Sequence, residues 1–261
     1  MNLLAIFQKE LKSYFTSPLA YIVAGIFWLV AGAYMVGMLL GEQGLIQQIF
    51  FSDRRGLIVQ PIDVTYLFLN SFFAVLGSLC LFFLPLLSMG LYTKERKRGT
   101  LELLATSPIY NWVIALGKLL GVITFFLFIT APFLLYEAII FSAAEPPVRA
   151  AFPLLVNFSL ILFATAVLSS GMFISSLTNN NFVAAILTFA LIFLLWFINI
   201  LAQNIGGFAG ELLQHLSLLK SYNNLILGVF ELKDIVLLFS YIFLGIFLTV
   251  QSVESWRSHT R

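Results

Sequence analysis

Between Arg149 and Glu211 the chain carries no charged side chain at all. A helix crosses the roughly 30 Å hydrocarbon layer of a bilayer in about 20 apolar residues, so a run of this length has to hold two spans. The polar break Ser175-Ser176-Leu177-Thr178-Asn179-Asn180-Asn181 divides it, which predicts spans over 153–174 and 182–202. Apolar stretches of crossing length also occupy 18–41, 64–93, 119–141 and 235–253, the third interrupted only by Glu137. Composition points the same way: 61% of residues are hydrophobic and 10% charged, against about 25% charged in an ordinary soluble chain. The expected fold is an all-α membrane protein of six spans, a single membrane domain over 1–261 with no separate soluble unit.

The charges mark what lies outside the apolar layer. Over 2–14, Leu3, Leu4, Phe7, Leu11 and Tyr14 recur at three- and four-residue steps, with Phe15 next and Gln8, Lys9, Glu10 and Lys12 elsewhere on the wheel. The pattern predicts an amphipathic helix over 2–15, lying in the membrane interface or packed on other protein. The apolar run after it is too long for a signal h-region and lacks a small-residue cleavage site, so the N-terminus is expected to be retained. Ser17-Pro18 supplies an N-cap and N1 pair for the first span. Within it, Gly37 and Gly41 form one small-xxx-small pair, a weak sign of close helix contact.

Residues 42–63 are expected to be a mixed-charge outer loop. The span at 64–93 is longer than the hydrocarbon core and should tilt, kink near Pro85 or protrude; Pro132 is a second kink candidate. Glu137 is an acid near the end of the third span. Inside the apolar layer it would be a polar functional site, but the approaching helix end and the nearby Ser142 and Glu145 place it at the outer interface. Residues 203–234 predict short amphipathic helices on the outer face or dipping back into it, and 254–261 a polar tail. His215 has no partner at metal-site spacing and reads as a surface histidine. Cys80, the sole cysteine, has no disulfide partner in the chain.

Counting basic residues orients the spans. Lys9, Lys12, Lys94, Arg96, Lys97, Arg98, Lys118, Arg257 and Arg261 fall on one side, and Arg54, Arg55, Arg149, Lys220 and Lys233 on the other. The richer side is expected to be cytoplasmic, with both termini there, in a bacterial plasma (inner) membrane. No basic and aromatic stripe suggests nucleic acid.

The charged island at 94–118 breaks the oily sequence most sharply. A helix arriving from the second span should end at Gly99, which tolerates left-handed geometry, with Lys94, Arg96, Lys97 and Arg98 complementing the negative helix end. Thr100 can then cap a short helix in which Glu102 lies in the first turn and Leu101, Leu104 and Ala105 form an apolar strip. Ser107-Pro108 offers the N-cap and N1 pair of the next helix. Charge alone leaves two readings: a basic loop that orients the protein, or a crossbar that receives a partner.

Enzyme chemistry finds no motif. There is no Gly-x-x-x-x-Gly-Lys-Ser/Thr, His-Glu-x-x-His, Gly-x-Ser-x-Gly or cysteine pair, so the chain is expected neither to hydrolyse ATP nor to hold a metal or other cofactor. The spans also lack the repeated ionisable groups of an ion-driven carrier.

Glu95-x-x-x-Gly99-Thr100-Leu101-Glu102-x-Leu104, followed by Pro108, Trp112 and Gly117-Lys118, resembles the cytoplasmic coupling segment of ABC-2 type exporter permeases. Lys9-Glu10-Leu11-x-Ser13-Tyr14-Phe15-x-Ser17-Pro18-x-Ala20-Tyr21 is similar to the permease (F subunit) of the gliding-motility ABC transporter, and more distantly to the permease of nitrous oxide reductase maturation. The resemblance implies a permease paired with a second copy or a paralogue and docked on ABC ATP-binding subunits that bind ATP and Mg. In it, Glu95, Arg98, Gly99, Thr100, Leu101, Glu102, Leu104 and Pro108 form the coupling segment, and Lys9, Glu10, Tyr14 and Phe15 belong to the interfacial helix. Any auxiliary outer-face protein would be a separate subunit. The rival class is a membrane anchor or scaffold without transport of its own.

Overall fold

The structure, a computed structural model, describes residues 2–41, 44–54, 64–100, 109–142, 151–204, 207 and 216–259. All regular elements among these residues are helices: α1 Asn2–Phe15, α2 Pro18–Leu40, α3 Leu45–Arg54, α4 Val64–Ser88, α5 Gly90–Lys97, α6 Asn111–Ser142, α7 Ala151–Leu177, α8 Asn181–Asn204, α9 Leu218–Ile226 and α10 Leu232–His259. Six segments are long and apolar enough to cross a membrane. They are α2, the α4–α5 pair, α6, α7, α8 and α10, matching the six expected spans.

The charge-free α7 is the centre, packing against α4, α5, α6, α8, α9 and α10. Hydrophobic burial supplies little attraction between helices already in lipid, so close backbone approach matters more. Small residues permit it here. A Cβ on Gly171 would lie 2.0 Å from Ser88 Oγ of α4, and one on Gly245 of α10 would lie 2.7 Å from Ser169 Oγ of α7. Buried aromatics fill the remaining space: Phe27, Phe72, Phe125, Phe126 and Phe163 are each at most 2% exposed. By contrast, Gly37 meets nothing and Gly41 meets only the backbone of its own helix. That pair makes no interhelical contact within the chain.

The second span is one long helical run, divided only at Met89, which itself keeps helical torsions (φ −56°, ψ −31°). Helix α4 continues through Pro85 and stops at Ser88, and α5 restarts after Met89. Pro85 has no N–H to give, and its carbonyl accepts from both Met89 N (3.1 Å) and Ser88 Oγ (3.3 Å). On the α5 side the Tyr92 N–H is given to Ser175 Oγ of α7 (3.1 Å). This pins α5 to the bundle centre.

Several expected boundaries are corrected. Residues 42–63 are not wholly loop, since α3 occupies Leu45–Arg54. The third span begins at Asn111 rather than 119 or Pro108, because the Tyr110 carbonyl accepts the first helical bonds, from Val113 N and Ile114 N. The tail expected over 254–261 stays helical to His259.

The segment before the last span does dip into the protein. Ser217 caps α9 by accepting from Lys220 N (3.2 Å), and Gly228 at φ +79° follows its end. Tyr222 of α9 is fully buried, donates to Phe73 O of α4 (2.6 Å) and stacks on Phe163 of α7 at 4.7 Å. Gly77 makes the room: a Cβ there would be 2.2 Å from the Tyr222 ring. The short helix expected after Thr100, with Leu101, Glu102, Leu104 and Pro108, lies outside the described residues, as do the loop around Pro146 and His215.

Candidate functional site: the charged joint before the crossbar

Helix α5 ends in the geometry its sequence predicts. Gly99 has φ +67°, Gly99 N donates to Arg96 O (3.2 Å), and Thr100 N donates to Glu95 O (3.0 Å). These are the two bonds of a Schellman motif, which satisfies carbonyls that the helix end would otherwise leave open. The Thr100 hydroxyl also turns back to Glu95 O (3.3 Å). Lys94, Lys97 and Arg98 point outward. Arg96 alone is turned in, donating to Ser176 O (2.8 Å) with its guanidinium 3.8 Å above the Trp256 ring of α10. The chain thus leaves α5 at residue 100 in a fixed direction with three cations around the exit.

Beneath the exit, four charged side chains from three helices meet. Lys118 of α6 is 2% exposed, and its ammonium lies 3.3 Å from Glu10 Oε2 of α1, 3.0 Å from Glu95 Oε2 of α5 and 2.7 Å from Leu91 O. The Glu95 Oε2 contact is an ion pair without hydrogen-bond alignment, since that oxygen accepts no aligned bond. Glu95 Oε1 accepts from Lys9 of α1 at 2.9 Å. The Lys118 ammonium also lies 5.0 Å from the Tyr92 ring centroid. Two hydrogen bonds and one ion pair thus surround the Lys118 ammonium.

Such a cluster holds only if no charge is left alone. A buried ion pair often contributes little net stability, but removing one partner strands the others in a poorly solvated site. The cluster therefore sets position more than it adds stability: α1, α5 and α6 fit together in one arrangement. Lys9 is mostly exposed. Burial lowers its pKa, the hydrogen bond and charge of Glu95 raise it, and the net result is above the ordinary lysine value.

Helix α1 reaches Lys118 because α6 is bare on that side. Gly117 and Gly121 flank the lysine, and Cβ atoms on them would fall 2.8 Å from Ile6 Cγ2 and 2.8 Å from Glu10 Cβ. Ile6, Glu10 and Tyr14, at four-residue steps, form the packed face. The Tyr14 hydroxyl donates to Leu87 O (2.7 Å), and its ring stacks on Phe125 at 5.2 Å. Burial, and secondarily the Glu10 charge, hold the Tyr14 phenol well above its ordinary pKa, so it remains a donor. Phe15 packs edge-on against Phe125 and Phe128. Leu3 and Leu4 stay exposed. Helix α1 is therefore packed on protein along one face and apolar and open along another.

The structure brings Lys9, Glu10, Tyr14 and Glu95 together and adds Lys118, which the sequence reading had only as the end of the charged island. Glu10 is corrected from the polar side of α1 to its packed side. Arg98, Gly99 and Thr100 are placed at the exit. Glu137 is 4% exposed and packs against the next helix, accepting from Asn157 Nδ2. The missed signal was Gly117-Lys118-x-x-Gly121, a lysine framed by glycines in an apolar helix.

A bundle of six helices apolar and long enough to cross a membrane, with a buried charged joint at the end of α5, defines a multi-pass membrane protein. The chain matches the ABC-2 family transporter protein family over residues 4–253 and belongs to that family. No curated protein matches it by sequence.

Proposed function

We propose that the chain is the permease subunit of an ATP-driven ABC exporter in a bacterial inner membrane. Two permeases, identical or paralogous, form the translocation path, and separate ATP-binding subunits hold ATP and Mg. The crossbar at 94–118, centred on Leu101, Glu102 and Leu104, seats on those subunits, with the cations at the α5 exit facing them and both termini on the cytoplasmic side. Closure of the ATP-binding subunits pushes the crossbar, and α1, α5 and α6 move as one lever through the Lys118 cluster. Family membership together with that cluster carries the reading. Within the family, the N-terminal run favours the gliding-motility permease subfamily.

The test is to purify tagged full-length chain from its native membrane and look for an ABC ATP-binding subunit and ATPase activity in the same complex. Both are expected. Glu102→Gln should leave membrane abundance unchanged while weakening assembly or ATPase, since a first-turn carboxylate contributes only about 0.3–1 kcal/mol to its own helix. A chain that purifies without any ATP-binding subunit would make it an anchor or scaffold. If Glu102→Gln matches wild type in abundance, assembly and ATPase, Glu102 has no coupling role.

A further inference from the structure

At the other end of α6 lies an open pocket of about 340 Å³ between α6 and α7. Its walls include the apolar side chains Leu134, Phe141 and Leu154, and its polar groups are Glu137, Ser142 and Asn157. Glu137 is 4% exposed, yet only one of its carboxylate oxygens has a partner: Asn157 Nδ2 donates to Oε2 at 2.7 Å. Oε1 has none. Buried carboxylates are normally paired, and this buried, unpartnered oxygen belongs to a residue of the pocket wall.

The remaining polar atoms narrow the donor. The Asn157 amide nitrogen donates to Glu137 and to Pro153 O (3.0 Å), and the Ser142 hydroxyl donates to Ile139 O (2.8 Å). What these groups still offer is acceptors: Glu137 Oε1, Asn157 Oδ1 and the Ser142 oxygen. The described residues contain no group of three side chains able to hold a metal. A pocket of acceptors on apolar walls suits a ligand with several N–H donors on one small head and an apolar body.

We propose that the α6–α7 pocket binds the primary ammonium head of an amphiphile, with Glu137 Oε1 accepting from the ammonium and Leu134, Phe141 and Leu154 receiving the chain. Glu137 lies 19 residues beyond Lys118, about 28 Å along the helix, close to the roughly 30 Å hydrocarbon thickness. The head would therefore sit at the boundary opposite the Lys118 cluster, where lipid headgroups lie. An aminophospholipid and an amine-bearing cargo share this chemistry. The inference needs no ATP-binding partner and stands or falls separately from the permease reading.

Purified full-length chain in nonionic detergent would be treated with dicyclohexylcarbodiimide, and labelling of Glu137 would be followed by peptide mass spectrometry. Dodecylamine should slow the labelling at least fivefold, while dodecanol and dodecyltrimethylammonium, which lack the N–H donors of a primary ammonium, should not. By native mass spectrometry, Glu137→Gln should lose at least tenfold in dodecylamine adducts, and the wild-type measurement stands even if that variant folds poorly. Repeating the labelling in nanodiscs assigns the source. Protection by phosphatidylethanolamine over phosphatidylglycerol supports a lipid occupant, and protection by dodecylamine alone supports a cargo amine. Equal protection by dodecanol, or a Glu137 that never labels, would overturn the proposal.

Discussion

Helix α6 carries one ionisable side chain near each end, and the fold treats them in opposite ways. Lys118 is buried with hydrogen bonds to Glu10 and the Leu91 carbonyl and an ion pair to Glu95, so its charge is met by two carboxylates. Glu137, on a pocket wall, is buried with one oxygen accepting from Asn157 and the other without a hydrogen-bond partner. A fully answered charge fixes geometry, whereas a half-answered one waits for a ligand. As proposed, the joint at Lys118 serves force transmission and the pocket at Glu137 recognition.

The largest effect should come from breaking the answered end. Lys118→Met leaves Glu10 and Glu95 buried without their shared cation, a loss of about 3–5 kcal/mol. It should show as a large drop in the membrane abundance of folded chain. Glu10→Gln combined with Lys118→Met should recover part of that loss, because the stranded charges are removed together. Recovery to no degree would mean that Lys118 acts through packing alone.

A smaller effect is expected at the exit. Gly99 holds φ +67°, and a Cβ there would meet nothing within 4 Å among the described residues, so the main cost of Gly99→Val is the backbone penalty of left-handed geometry, about 1–2 kcal/mol. Abundance should fall little, and the ATPase of the assembled complex should fall more. Equal loss of both would place Gly99 in folding rather than coupling.

The smallest effect belongs to the exposed arm of the cluster. Lys9→Ala removes a pair with one well-solvated partner and should cost less than about 1 kcal/mol in thermal unfolding. The sign of the Lys9 shift fixes its pH dependence. A raised lysine pKa gives stability that is full below its unfolded value of 10.5 and is lost as pH climbs through the higher folded value. Between pH 6 and 9 the Lys9→Ala difference should therefore stay flat.

The spans and the α5 exit were legible because they depend on local sequence. Charge-free runs mark helices in lipid, and Gly99 after a basic turn marks a helix end. The joint was hidden because its members are far apart in the chain: Lys9 and Glu95 are 86 residues apart, Lys118 and Glu10 108. Nothing on the α1 wheel says that Glu10 turns inward. The bare strip at Gly117 and Gly121 decides it, and that requires knowing which helix lies opposite. The burial of Glu137 was hidden for the same reason, since its partner Asn157 stands on the next helix. Helix α3 was missed although Leu45, Ile46, Ile49 and Phe50 stand at helical spacing, because the charges of the run marked it as loop.

The central claim is that α1 and α5 travel together when the crossbar is driven. Spin labels on Lys12→Cys and Lys97→Cys, in a Cys80→Ala background, would report the distance between the two helices by pulsed electron resonance in the complex assembled with its ATP-binding subunit. The account predicts the same mean distance without nucleotide and with ATP trapped. A shift of several ångströms between those states would show that the joint opens during the cycle and would contradict it.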